Sequence, residues 1–84
     1  MRKHYETWVL EALHENDGEA TILEVAKLIW ENHKEEIEGT EQFYSWQYDF
    51  RWAATALRKK GIMLEAEKSP KGVWQLAKKN AFFS

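Results

Sequence analysis

One stretch of the sequence, YSWQYDFRWAATALRKKG at residues 44–61, constrains the fold more than any other. At 100° per residue, its large apolar side chains fall within about 60° of one another, which is the pattern of a helix with one buried side. That apolar side consists of Trp46, Phe50, Ala53 and Leu57, with Phe43 just beside it. Gly61 follows directly, and glycine favours the left-handed conformation that ends helices. We therefore predict an amphipathic helix that begins at residue 41 or 43 and ends at Lys60.

Two further helices are predicted upstream of this one. The first covers residues 2 or 4 to 16, where apolar residues repeat at helical spacing until NDG at 16–18 permits a chain reversal. The second begins at Thr21, whose hydroxyl can cap the free amides while Glu24 completes a capping box. We interpret the acidic stretch 32–42 as a loop with at most one helical turn, and residues 19–21 as one edge of a small sheet.

After Gly61 the composition changes to that of a β-hairpin. Two short apolar runs, IMLEAEK and VWQLA, flank SPKG at residues 69–72, which is a typical loop sequence. The order helix, turn, helix, loop, helix, hairpin is typical of an α+β winged helix-turn-helix, in which three helices precede a C-terminal hairpin called the wing. We expect residues 1–78 to form this domain and 79–84 to be a tail. A small helical adaptor with a hairpin would give the same coarse order.

Length and composition exclude several classes of protein. The chain has 84 residues, which is enough for one domain, and it has no cysteine for a disulfide, a thiol nucleophile or a thiolate metal site. The three histidines show no pairing at metal-binding spacing, and each glycine is explained by a turn or a helix end. We therefore expect no catalysis, no cofactor and no metal. No segment is apolar enough to span a bilayer or to act as a secretory signal, so we predict a cytoplasmic protein without membrane contact.

Charge is distributed unevenly along the chain. Residues 1–48 hold eleven acids and four bases, a balance of −7, whereas residues 49–84 hold three acids and eight bases, a balance of +5. The overall charge of −2 is unusual for a nucleic-acid-binding domain. The basic second half nevertheless indicates a nucleic-acid-binding surface.

The side of the third helix opposite its apolar residues contains no acid. We call this set the polar face: Tyr44, Gln47, Tyr48, Arg51, Thr55, Arg58 and Lys59. Arginine can contact guanine in a bidentate manner, glutamine can pair with adenine, and hydroxyls and cations can reach phosphates. We therefore predict that this face enters the major groove of double-stranded DNA while the wing rests on the backbone. The predicted contact residues are the polar face with Ser45, and Lys68, Ser69 and Lys71 in the wing.

The segment FRWAATALRKKGIML....SPKGVWQLA, residues 50–77, resembles the N-terminal winged-helix domain of Mrr-type restriction endonucleases. The matching residues are Arg51, Trp52, Ala53, Leu57, Gly61, Leu64, Lys71, Gly72, Val73 and Trp74. The front half is similar in a looser way. The resemblance implies a DNA-recognition module of a restriction system, with defined or modified DNA as its ligand. This sequence departs from the family in having no nuclease domain of its own, which suggests either a separated domain, with the nuclease domain in the same or a partner polypeptide, or a small stand-alone regulator.

Several alternatives stay open at this point. The aromatic residues suggest a sharper version, in which Tyr44, Tyr48 or Trp46 forms a pocket for a methylated base. A different class of function is a winged-helix adaptor that docks a partner protein through its acidic helices and its aromatics. Phe82 and Phe83 in the tail suggest homodimerisation. The cations at residues 58–60 would also stabilise a helix end without any ligand, and Trp52 would pack as a structural ring between helix and hairpin.

Overall fold

The computed structural model describes residues 3–77, so the tail at 79–84 and its proposed dimer contact lie outside the described residues. Three helices are present: α1 (Lys3–Glu15), α2 (Ile22–Glu38) and α3 (Trp46–Lys59). Strands β1 (Glu19–Thr21) and β2 (Val73–Gln75) pair in an antiparallel sheet, and 3₁₀ turns cover Glu41–Tyr44 and Ala66–Lys68. The described part of the chain is therefore an α+β fold with three helices and a two-stranded sheet.

The connection from α1 to α2 follows the sequence prediction closely. Asp17 and Gly18 both have positive φ, at 61° and 93°, and the Gly18 amide donates to the carbonyl of Leu13 at 2.7 Å. Helix α2 then starts with a complete capping box. The Glu24 amide donates to Thr21 Oγ1 at 3.1 Å, and the Thr21 amide donates to Glu24 Oε1 at 2.8 Å. These two bonds satisfy amides that the first turn leaves without helical partners.

The prediction of a loop at 32–42 is wrong, because α2 continues to Glu38. The helix is kinked at His33, where φ is −130° and ψ is 18°, and the His33 ring stacks on Trp8 of α1 with 3.9 Å between ring centroids. His33 thereby occupies the inward position between Ile29 and Ile37, which are 1% and 0% exposed. Ile37 is the one apolar residue in the sequence of 32–42 and looks isolated there, because residue spacing alone does not reveal that His33 packs against the core.

The sheet contains a third segment, although only two strands are regular. Ala20 pairs with Trp74 in the β1–β2 register, and Met63 forms a single bridge with Leu76. The Leu64 amide also donates to the Gln75 carbonyl at 2.9 Å. The strand expected across IMLEAEK therefore ends after Leu64, and residues 66–68 form a 3₁₀ turn instead. Residues 65–68 are all exposed, and three of them are charged, so a longer strand would bury no further apolar surface.

The core lies between α1 and α3 and is closed by the sheet. Two small residues of α3, Ala53 and Ala54, are 1% and 0% exposed and allow the two helices to approach closely. Around them lie the largest fully buried side chains: Tyr5, Phe50, Leu13, Ile29, Ile37, Leu57, Met63, Val9 and Val25. Full burial of one large apolar side chain stabilises a fold by about 1.5–3 kcal/mol. Turning α3 about its axis would expose several of them, so the core fixes which side of α3 faces outward.

Candidate nucleic-acid interface

The side of α3 that faces the core is the side that the helical wheel predicts. Phe50 and Leu57 are each 1% exposed, and Trp46 is 8% exposed. Arg51, on the opposite side, is exposed. Across the described part of the chain, no ion pair or side-chain hydrogen bond involves its guanidinium group. The fold thus presents Arg51 to solvent with its donors available.

Other aromatic and polar side chains surround Arg51 on this surface. Tyr44 is 88% exposed and Tyr48 is 60% exposed, which is unusual for such large rings. Gln47 precedes Arg51 by four residues and therefore lies on the same side, one turn earlier. We define the outer face of α3 as its exposed residues on this side, with Tyr44 from the preceding turn: Tyr44, Gln47, Tyr48, Arg51, Trp52 and Lys59.

Trp52 was expected to pack as a structural ring between helix and hairpin, and the structure leaves almost half of its surface in solvent. The side chain is 45% exposed, and its ring meets the ring of Tyr48 edge to face at 5.9 Å. Its wheel position was the available signal, because it lies 100° from Ala53 on the side away from Trp46, Phe50 and Leu57. The outer face of α3 is consequently more aromatic than the polar face that we predicted.

Three hydroxyls that were predicted to contact phosphate donate inside the chain. Ser45 Oγ donates to Asp49 Oδ2 at 2.9 Å, Thr55 Oγ1 donates to the Arg51 carbonyl at 3.4 Å, and Ser69 Oγ donates to the Glu65 carbonyl at 3.3 Å. A hydroxyl has one hydrogen to donate, and the phosphate oxygens of the DNA backbone can only accept hydrogen bonds. Each of these groups would therefore have to break an internal bond before it could donate to a phosphate.

Arg58 is also turned inward from its predicted position. Its Nε–H donates to the Leu64 carbonyl at 3.2 Å, and its guanidinium carbon lies 5.7 Å from the centre of the Trp74 ring. Arg58 thus joins the end of α3 to the base of the 63–76 hairpin. The chain uses this cation to hold two elements together, although the edge of the guanidinium group still borders a surface cleft of about 480 Å³.

The hairpin loop, residues 65–72, presents two cations. Lys68 and Lys71 are exposed, and Lys68 Nζ lies 3.6 Å from Glu65 Oε1 in a solvent-exposed pair. Such pairs are weak, so a ligand phosphate can compete for Lys68. Lys71 lines the same cleft as Arg58, which brings the loop next to the C-terminal end of α3. The two predicted parts of the interface are therefore neighbours in the fold.

Two acidic groups near α3 interact with α1 or with the last turn of α3 rather than with Arg51. Asp49 is the one acid in the sequence of α3, and it is half-buried on the side facing Tyr5 of α1. Burial, and secondarily the charge of Asp49, raises the pKa of the Tyr5 hydroxyl to about 12. Glu6 of α1 is bound by Lys60 Nζ at 2.7 Å. These two carboxylates thus lie on the α1 side of α3, while the outer face carries Arg51 and Lys59.

Sequence analysis did not find an aromatic cleft that lies beside the outer face. Trp30 of α2, Phe43 of the 3₁₀ turn and Trp46 of α3 line it together. The three residues come from three different elements, so no spacing along the sequence could have brought them together. The helical wheel placed Phe43 beside the buried side of the helix, whereas the ring is 44% exposed.

Among residues 3–77, no cluster of three His, Asp or Glu side chains is placed to hold a metal ion. Within the same range, no helix is long and apolar enough to cross a membrane. Comparison of this chain with protein-family models, with curated proteins and with solved structures gave no match.

Proposed function

We propose that this chain is a winged-helix module that binds double-stranded DNA, with α3 in the major groove and the loop at 65–72 on the backbone. The observation that carries the proposal is the exposure of Gln47 and Arg51 one turn apart on a helix face without carboxylates. These two side chains are the types that read adenine and guanine edges in the major groove. The module has no catalytic role of its own in this proposal, and it acts in the cytoplasm.

The position of the hairpin loop supports this assignment. In winged-helix proteins the wing contacts the backbone beside the groove that holds the recognition helix. Here Arg58 bonds the hairpin at Leu64, and Lys71 borders the same cleft as Arg58. The loop therefore brings Lys71 next to the C-terminal end of α3, in a cleft that Glu67 also lines. With four to six phosphate contacts and a net charge of −2, we expect a dissociation constant on the order of micromolar at physiological salt.

Fluorescence anisotropy of a labelled mixed-sequence duplex, measured across a salt series, tests the proposal. The logarithm of the affinity should fall linearly with the logarithm of salt concentration, with a slope of about −0.9 for each phosphate contacted. For a duplex that contains the DNA sequence preferred by the unmodified protein, Arg51→Ala should weaken binding by about tenfold, as expected for loss of one base contact.

Lys60→Ala is the matched control for Arg51→Ala. It removes the same charge from the neighbourhood of α3, but Lys60 points toward α1, where it binds Glu6. Binding should therefore be nearly unchanged in Lys60→Ala. Equal losses in the two variants would indicate a nonspecific charge effect, and no binding by the unmodified protein even at low salt would reject the proposal.

A finer version of the proposal concerns restriction systems. The resemblance in residues 50–77 and the exposed rings of Tyr44 and Tyr48 support a module that reads modified DNA for a nuclease domain in the same or a partner polypeptide. Paired duplexes that differ only in base methylation test it. Equal affinity for the two duplexes would reject modified-base reading while leaving DNA binding intact.

The exposed rings also favour a second candidate, a module that docks a partner protein. Tyr44, Tyr48 and Trp52 are 88%, 60% and 45% exposed, and contiguous apolar surface of this kind often marks a protein interface. The two functions differ in their dependence on salt and cations. If Arg51→Ala leaves duplex binding unchanged, the protein-docking function becomes the better explanation.

A further inference from the structure

The aromatic cleft between α2 and the start of α3 has the features of a small ligand-binding site. Its volume is about 400 Å³, which lies within the range of pockets that hold small molecules. The lining residues are Ala26, Lys27, Trp30, Phe43, Trp46 and Gln47. Three of these six residues are aromatic, and none of the six is acidic.

The geometry of the three rings leaves a surface on which a flat ligand can stack. Trp30 and Trp46 lie nearly parallel, with centroids 5.5 Å apart and 23° between their planes. Phe43 is tilted by 54° relative to Trp30 at 6.3 Å, and it is 44% exposed. A planar ring can therefore pack against Phe43 and the edge of Trp30 without separating the two indoles, while Trp46 closes the inner side.

The polar groups at this cleft indicate the chemistry of the ligand. Gln47 is exposed and carries an amide that can both donate to and accept from the edge of a base. Lys27 lines the cleft, and Lys34 Nζ lies 5.9 Å from the centre of the Trp30 ring. A ligand with a π face, a hydrogen-bonding edge and an attached anion matches these three features.

We propose that this cleft binds a single unstacked nucleobase, with Lys27 close to the attached phosphate and Gln47 at the base edge. The inference rests on the proposed function in one respect, since a base extruded from DNA bound to α3 would reach the cleft past Gln47, which belongs to both surfaces. Stacking of a base on aromatic rings is tolerant of sequence. The cleft would therefore favour DNA with an unpaired base over fully paired DNA.

An alternative occupant for three aromatic rings is a methylated ammonium group, which such cages bind through cation–π attraction. The nearby charges argue against it here. Lys27 and Lys34 would repel a further cation, whereas they attract a phosphate. No carboxylate from residues 3–77 lines the cleft to offset that repulsion.

Two duplexes of identical sequence test the proposal, one fully paired and one with a single adenine opposite an abasic site. An unpaired base costs little to extrude, so the second duplex should bind about tenfold more tightly. Phe43→Ala should abolish that preference and leave affinity for the paired duplex unchanged. Leu23→Ala is the matched control, because Leu23 is also an exposed apolar residue, at 70%, and lies outside the cleft.

The base in the cleft could come from a free nucleotide or from bound DNA. A titration with dAMP, monitored by the indole N–H signals of Trp30 and Trp46 in NMR spectra, tests the free nucleotide alone. Loss of the preference in Phe43→Ala and its retention in Leu23→Ala would support the proposal, as would dAMP shifts of these signals. Equal affinity for the two duplexes without dAMP shifts would overturn it, even if duplex binding itself is strong.

The remaining outcomes distinguish this inference from the proposed function. Shifts caused by dAMP in the absence of any duplex binding would support the cleft as a nucleotide site and reject the DNA-binding module. Shifts caused by trimethyllysine, with none caused by dAMP, would overturn the nucleobase assignment in favour of a cation cage.

Discussion

Two surfaces of this protein use the same kinds of residues in different ways. In the first, which we call the Trp8–His33 cluster, the rings of Trp8 and His33 stack, and His33 lies 2.9 Å from Glu11 and 3.4 Å from Glu36. In the second, the outer face of α3, rings and a cation lie on the surface. Tyr44 is 88% exposed there, and Arg51 reaches solvent.

The difference shows how a charged aromatic surface can be interpreted. Where rings and charges contact one another within the chain, as at His33, folding alone accounts for their presence. Where large rings stay exposed beside a cation, folding gains little from them, and an interaction with a ligand is the better explanation. The predictions below test this distinction by pairing similar residues from the two kinds of environment.

Two tryptophans provide the largest expected contrast. Trp8 is 7% exposed and contacts both Tyr5 and His33, whereas Trp52 is 45% exposed. Trp8→Ala should lower the free energy of unfolding by about 3–5 kcal/mol, which can exceed the total stability of a domain this small. Trp52→Ala should lower it by a smaller amount, about 1–2 kcal/mol, because almost half of its surface is already in water. Urea denaturation followed by circular dichroism measures both, and similar losses would show that Trp52 is structural.

Tyr5 provides a contrast that depends on pH. Its hydroxyl is buried and has no hydrogen-bond partner among residues 3–77, and its pKa is raised to about 12 from the usual 10.0. The folded state thus holds the phenol proton more tightly than the unfolded chain does. This contribution to stability is complete below pH 10 and is lost as pH rises toward 12, by about 2–3 kcal/mol in total.

Tyr5→Phe should remove that part of the alkaline loss. The variant should be as stable as the unmodified protein near pH 7, or slightly more stable, because it eliminates a buried hydroxyl without a partner. Urea denaturation at several pH values between 8 and 12 measures the difference between the two proteins. Parallel curves across this range would show that the phenol does not contribute to alkaline unfolding.

Much of the fold followed from sequence because its signals are local. The capping box at Thr21 and the apolar side of α3 each depend on residues within a few turns, and both are present in the structure. The continuation of α2 through His33 was missed because it depends on Trp8, which lies 25 positions earlier in the sequence. A polar ring that replaces an apolar one in a helical repeat is recognisable only when its stacking partner is known.

The candidate site divides in the same way. The outward direction of Arg51 followed from the helical wheel, since it depends only on the period of α3. The inward contacts of Arg58 did not, because its acceptor at Leu64 depends on how the chain returns after Gly61. The aromatic cleft was missed for the same reason, since Trp30 and Phe43 meet only in the tertiary structure.

The two arginines of α3 should therefore separate stability from binding. Arg58→Ala removes the hydrogen bond to Leu64 and the contact with Trp74, and should lower the free energy of unfolding by about 1–2 kcal/mol. Arg51→Ala should change it by less than about 0.5 kcal/mol, since Arg51 is exposed. Duplex affinity, measured where both variants are folded, should fall in Arg51→Ala. A larger loss of stability in Arg51→Ala than in Arg58→Ala would contradict the distinction between the two environments.

The smallest effect is expected at two neighbouring lysines. Lys59 and Lys60 both favour the C-terminal end of α3, so substituting either removes a similar interaction with the helix dipole. Lys60 also binds Glu6 at 2.7 Å, and Lys60→Ala should therefore cost about 0.5 kcal/mol more stability than Lys59→Ala. This excess should shrink in 1 M salt, where the screening length is about 3 Å.

Duplex binding should show the reverse order, because Lys59 lies on the outer face and contributes one phosphate contact. Loss of that contact lowers the salt slope by about 1 in Lys59→Ala. Urea denaturation measures the loss of stability in the two variants, and fluorescence anisotropy measures their loss of duplex affinity. If one variant loses more than the other in both measurements, stability and binding share one surface.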